Sequence, residues 1–98
     1  MSAYLVYNYS VTDQDKYEAY PPAAMPTLAG FDVEVLVADY QSEALEGSPA
    51  AVTVVLRFPS KEEARRWYDS ADYQAIKHLR TDNSEGEVVL VDGFVMPG

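Results

Sequence analysis

The chain has 98 residues, 48% of them hydrophobic, no cysteine and a net charge of −9. That length allows one domain, residues 1–98, and the composition excludes intrinsic disorder, disulfides and thiolate metal sites. The acidic balance also argues against nucleic acid, because phosphate backbones are bound by clustered cations. No apolar run approaches the roughly 18 residues of a membrane span, so no membrane partner is expected. No basic segment followed by an apolar stretch marks a signal peptide, which makes the cytoplasm the expected location.

Residues 3–9 (AYLVYNY) are rich in aromatic and branched side chains and predict a first strand. Thr12 and Asp13 then supply helix-capping chemistry, with Asp15 adding negative charge to the first turn. Tyr17, Tyr20, Ala24 and Leu28 recur at helical spacing and are expected to face a core. Pro21, Pro22 and Pro26 interrupt that spacing, so the helix should break near Tyr20 and restart, closing at Gly30. A second strand is predicted over 32–40 (DVEVLVADY) and a loop over 41–49. A third strand spans 51–58 (AVTVVLRF) and ends at Pro59. Ser60 and Glu63 form a capping box, which starts a helix carrying Ala64, Trp67 and Tyr68 on one side. Ser70 caps a further helical piece through Tyr73, Ile76 and Leu79 to about Arg80. Residues 82–86 read as a turn and 87–95 (EVVLVDGFV) as the last strand.

The order β-α-β-β-α-β predicts an α+β, ferredoxin-like fold, with an antiparallel sheet and both helices on one face. A sheet with one wet face should alternate apolar and polar residues. Here Val88 and Leu90 are opposed by Val89 and Val91, and Val52, Val54 and Leu56 by Val55. Helices cover only one of those faces, so the other is expected to pack on a second copy of the sheet, giving a homodimer. Without disulfides, a domain this small gains most from that added burial.

Several pieces also match a known family in the right order. They are Val11-Thr12-Asp13 with Tyr17 and Tyr20, Leu45-Glu46-Gly47, Phe58-Pro59-Ser60, Trp67-Tyr68-Asp69-Ser70 with Tyr73-Gln74, Leu79-Arg80 and Val91-Asp92-Gly93. The chain resembles the small proteins grouped as domain of unknown function 1330, within the dimeric α+β barrel superfamily. The resemblance implies that fold and a dimer, but no particular reaction. Relatives often carry a paired glycine followed by arginine where this chain has Gly30-Phe31-Asp32. Superfamily members include cofactor-free monooxygenases, isomerases and haem-handling proteins, and a shared fold does not carry those activities across.

His78 is the sole histidine, so no histidine metal cluster can form and no metal or other cofactor is expected. As a side chain of the type that titrates near neutrality, His78 is the candidate catalytic acid or base. Its place in a last helical turn is equally explained by attraction to the helix dipole. The tyrosines Tyr7, Tyr9, Tyr17, Tyr20, Tyr68 and Tyr73 should converge between helices and sheet. There they either fill the core or line a pocket for a polar aromatic or carbonyl compound. Trp67 reads as core. Tyr17 and Tyr68 are the candidate lining, Arg80 the candidate counter-charge near the pocket mouth, and Asn8 either a pocket or a dimer-surface residue. A surface salt bridge is the competing account of Arg80. No serine sits in a nucleophile elbow, and no phosphate loop or dinucleotide fingerprint is present. Two functions remain. One is a homodimer that holds a small organic ligand between helices and sheet, with cofactor-free proton-transfer, monooxygenase-like or isomerase-like chemistry. The other is a non-catalytic ligand-sensing or interaction dimer.

Overall fold

The computed structural model describes residues 1–97. From β1 (Ala3–Val11) the chain passes through α1 (Gln14–Tyr17), α2 (Tyr20–Ala24) and a 3-10 turn (Met25–Leu28) to β2 (Glu34–Asp39). A loop leads to β3 (Val52–Phe58), then come α3 (Lys61–Tyr68), α4 (Ala71–Ile76), α5 (His78–Thr81) and β4 (Ser84–Asp92). All strand pairs are antiparallel and the sheet order is β2-β3-β1-β4. This is the ferredoxin-like α+β topology that the element order predicts. Among the described residues no helix is long and apolar enough to cross a membrane.

The helix starts form where side-chain acceptors meet otherwise unpaired backbone donors. Asp13 accepts from the Lys16 N–H, Ser60 from Glu63 and Ser70 from Tyr73. The prolines act as expected. α1 ends at Tyr17, α2 begins at Tyr20 with proline in its first turn, and Pro26 lies in the 3-10 turn. The first crossover is therefore a chain of short pieces rather than one long helix. It leaves the outer strand β2 uncovered, with all six of its residues exposed.

The last strand begins three residues earlier than the sequence predicts and ends at Asp92 rather than residue 95. Its partner sets both limits. Ser84 pairs with Val11 at one end, and Asp92 pairs with Ala3 at the other. After the Gly93 N–H bonds to the Ser2 carbonyl, β1 has no more residues to offer. Phe94, Val95 and Met96 leave the sheet and are exposed.

Alternation divides the sheet into two faces. Leu5, Tyr7 and Tyr9 of β1 and Val52, Leu56 and Phe58 of β3 point toward the helices and are buried. They pack with Tyr17, Tyr20, Ala64, Trp67 and Tyr73. On the opposite face the register aligns Val37, Val55, Val6 and Val89 in one row across all four strands. Val91 beside Tyr4 extends that row. Asn8, also on this face, is held within the chain. Its amide donates to the Ala50 and Val52 carbonyls at 3.0 and 3.2 Å and accepts from the Ala50 N–H at 3.0 Å. It thereby latches the β2–β3 loop onto β1.

Gly86 of β4 lies opposite Tyr9. A Cβ there would collide with the Asn8 carbonyl oxygen and with Tyr9 main-chain and Cβ atoms. Since backbone has to move to admit it, Gly86→Ala is expected to destabilise the fold by about 2 kcal/mol, within the range of core overpacking. Urea denaturation measures this, and an unchanged midpoint would contradict the close approach.

Candidate functional site

The short first crossover leaves a cavity of about 260 Å³ between itself and the sheet. Its floor is Tyr7 and Tyr9 of β1, Val54 and Leu56 of β3, and Val35 and Ala38 of β2. Tyr20, Pro21 and Ala24 of α2, with Met25 and Leu28 of the 3-10 turn, form the roof, and Trp67 of α3 is one wall. Tyr40, Met25 and Val35 line it too and are exposed, so the opening lies over β2. An engineered cavity of ~150 Å³ lined by hydrocarbon holds benzene. The space here therefore suits a compound of one or two rings.

The wall is fixed in place by its neighbours. Trp67 donates its indole N–H to Thr27 Oγ1 at 3.0 Å, and Thr27 in turn donates to the Ala24 carbonyl. The Trp67 and Tyr73 ring centroids are 4.1 Å apart. The only polar atoms that the lining side chains bring are hydroxyls and the Trp67 N–H, because no carboxylate, lysine or histidine is among them.

Those hydroxyls form two chains. Tyr73 lies between Tyr20, at 2.7 Å, and Tyr7, at 3.3 Å. Tyr17 lies between Tyr9, at 2.5 Å, and the half-exposed Tyr40, at 2.8 Å. Burial, above all, pushes the Tyr7, Tyr9, Tyr17 and Tyr20 hydroxyls well above the ordinary tyrosine range. At neutral pH all four keep their protons and act as hydrogen-bond donors or acceptors, not as bases.

Behind these rings lies Arg80, 5% exposed. Its Cζ is 5.1, 5.7 and 5.8 Å from the ring centroids of Tyr7, Tyr9 and Tyr20, all three of which line the cavity. Its Nε has no hydrogen-bond partner. Of the seven lysines and arginines, Lys16, Arg57, Lys61, Arg65 and Arg66 pair with carboxylates. Lys77 lies over the Tyr68 ring. Arg80 is the one buried cation, and among the described residues no carboxylate reaches it, although the chain has 16. Its backbone is pinned where β4 begins. Ser84 Oγ donates to the Arg80 carbonyl at 2.6 Å, and buried Asn83 accepts the Thr12 N–H at 2.8 Å. A unit charge ~6 Å from an anion contributes roughly 3 kcal/mol at an effective dielectric near 20. Arg80 partly lowers the Tyr7, Tyr9 and Tyr20 hydroxyls, but burial outweighs it at each.

The five residues singled out by sequence thus separate. Tyr17 is buried and hydrogen-bonded to two lining tyrosines, although it is not itself part of the lining. Arg80 stands inside, behind the lining rings, rather than at the mouth. Tyr68 borders a second, smaller cleft with Leu5, Arg65, Val88 and Leu90. Asn8 faces the other side of the sheet and is spent on the loop latch. His78 is exposed at the start of α5, away from the cavity lining. Sequence reading named Tyr7, Tyr9, Tyr20 and Tyr73 as convergent but left Tyr40 and the wall role of Trp67 unassigned. The common parity of Leu5, Tyr7 and Tyr9 carries the signal for the floor. Nothing in the local pattern marks Tyr40, which lies just past β2.

Among the described residues no group of three or more His, Asp or Glu side chains is placed to hold a metal ion. The fold is similar to RPA0582, a protein of unknown function from Rhodopseudomonas palustris, with TM-score 0.74 and 12% identity over 97% of this chain and 84% of that one. It is also similar to SnoaB, a cofactor-independent oxygenase from Streptomyces nogalater, with TM-score 0.64 and 12% identity over 97% and 95% of the two chains. A Nitrosomonas europaea protein provisionally named an antibiotic biosynthesis monooxygenase matches with TM-score 0.58 and 17% identity over 98% and 94%. At such identities the likeness establishes the ferredoxin-like α+β fold and nothing about activity. No curated protein matches the chain. A family profile matches residues 2–94, nearly the whole chain, and by it the protein belongs to the family described as Domain of unknown function (DUF1330).

Proposed function

We propose that the chain works as a homodimer, each protomer holding a small, largely apolar organic molecule in the cavity between the first crossover and the sheet. The observation that carries this reading is the cavity itself, apolar in lining, with four tyrosine rings in its walls and open over an uncovered strand. A core that only needed filling would close such a space, since interiors are packed to near-crystalline density.

The dimer rests on the opposite face of the sheet. A valine row crossing four strands gains nothing from contact with water, and its Val89 is 50% exposed in the single chain. An isologous sheet-to-sheet contact would bury that row against its own copy.

As for chemistry, the lining turns ring faces and aliphatic side chains to the space, its tyrosine hydroxyls are paired with other tyrosines, and no group in it would take a proton from a substrate. This favours binding over general-base catalysis. A ligand-sensing dimer fits without further assumption. A cofactor-free oxygenase or isomerase reaction, of the class after which one structural neighbour is named, would need a substrate acidic enough to lose its proton to solvent.

Two substitutions test the two halves separately. Ala38→Phe places a ring at the cavity mouth on an exposed strand position. It is expected to weaken binding of one-ring aromatic compounds, measured by calorimetry, by at least about tenfold. Stability should change by no more than about 0.5 kcal/mol, as is usual for surface changes. Unaltered affinity would remove the cavity as the site. Val89→Asp puts a charge into the valine row and is expected to convert the dimer to monomer in sedimentation equilibrium. A wild-type chain already monomeric at micromolar concentration would remove the dimer.

A further inference from the structure

The polar atoms of the cavity wall decide which molecules the space refuses. Resting on the cavity reading, we infer that the ligand is an uncharged two-ring compound that enters ring-first. Its inner end carries no hydrogen-bonding group, and any polar substituent stays at the mouth over β2.

The inner end is closed by Tyr7, Tyr9, Tyr20, Leu56 and Trp67, all of them buried. Four of these five carry a hydroxyl or an N–H, yet each such group is already taken up inside the protein. The Tyr7 and Tyr20 hydroxyls bond to Tyr73, the Tyr9 hydroxyl to Tyr17, and the Trp67 N–H to Thr27. Tyr73, Tyr17 and Thr27 all stand outside the lining, so these bonds direct the polar atoms away from the space. What remains to meet a ligand is aromatic carbon and the Leu56 side chain. A hydroxyl or carboxylate pushed to that end would lose its water and gain no partner in return. Arg80 does not supply one, because it is not part of the lining.

The mouth imposes no such restriction. Met25, Val35, Ala38 and Tyr40 line it and are exposed, so a substituent held there keeps its water. The two ends thus set a direction, with carbon inward and polar atoms outward. Size follows from the volume. About 260 Å³ exceeds by more than half the ~150 Å³ that accommodates benzene, which leaves room for a second fused ring. Burying that ring adds apolar area removed from water, the term that drives binding in such a space.

The test compares naphthalene with 2,3- and 2,6-dihydroxynaphthalene on the intact chain by equilibrium dialysis at neutral pH, where both diols are uncharged. The diols have the same atoms. The 2,3-isomer can keep both hydroxyls at the mouth, whereas the 2,6-isomer has to bury one. Naphthalene is expected to bind, and the 2,3-isomer to bind at least about tenfold more tightly than the 2,6-isomer, the effect of one unpaired buried hydroxyl. Ala38→Phe should weaken naphthalene and the 2,3-isomer alike. A smaller preference between the isomers, or one that Ala38→Phe leaves unchanged, overturns the inference, while naphthalene binding keeps the cavity reading alive. If naphthalene is refused and toluene binds, the two-ring size fails and the inference with it. If neither binds, the cavity reading falls as well.

Discussion

Burying the Arg80 guanidinium costs several kcal/mol of lost hydration, and the residues around it offset that cost without supplying an anion. Three tyrosine rings present their faces to it, each contributing on the order of 1 kcal/mol. Hydroxyls linked through Tyr73 add oriented dipoles nearby. α5 is too short to hold its own arginine rigidly, so Ser84 and Asn83 fasten it where β4 meets β1. The Arg80 backbone is thereby tied to the start of β4, while its side chain meets only the three tyrosine rings.

The cavity follows from a different constraint, the prolines of the first crossover. A continuous helix over 14–28 would lie along the sheet and cover β2. Pro21, Pro22 and Pro26 forbid it, and the resulting short pieces leave all six residues of β2 exposed. The uncovered corner becomes the opening, and the tyrosine cluster becomes its inner wall. The same sheet carries the valine row on its other side, so one layer of strands bears both the cavity floor and an apolar row on the opposite face.

Much of this is legible in the sequence because the physical rules involved are local. Period-two alternation in 3–9 and 51–58 fixes which residues face the helices. Capping by Asp13, Ser60 and Ser70 fixes where helices start, and the prolines fix where the first one breaks. Register is less legible. The last strand is displaced by three residues because its limits are set by β1 and not by its own composition. The site is least legible of all. Arg80 stands out as a helix residue, yet its burial depends on Tyr7, Tyr9 and Tyr20 from other elements. Asn8 reads as a polar residue awaiting a partner, and that partner is a loop backbone 42 residues away. His78 attracts attention by residue type alone, and it lies exposed outside the cavity lining.

Arg80 is a buried charge that no carboxylate among the described residues neutralises. The most direct measurement is the unfolding free energy of Arg80→Met in the absence of ligand. An arginine held only by ring faces and hydroxyl dipoles should be replaceable at little cost. The variant is expected to match wild type within about 1 kcal/mol or to exceed it, as for replacement of buried charge by a hydrophobic side chain. A loss of about 3–5 kcal/mol, the size seen when a buried, compensated ion pair is broken, would contradict the account and make Arg80 a structural residue.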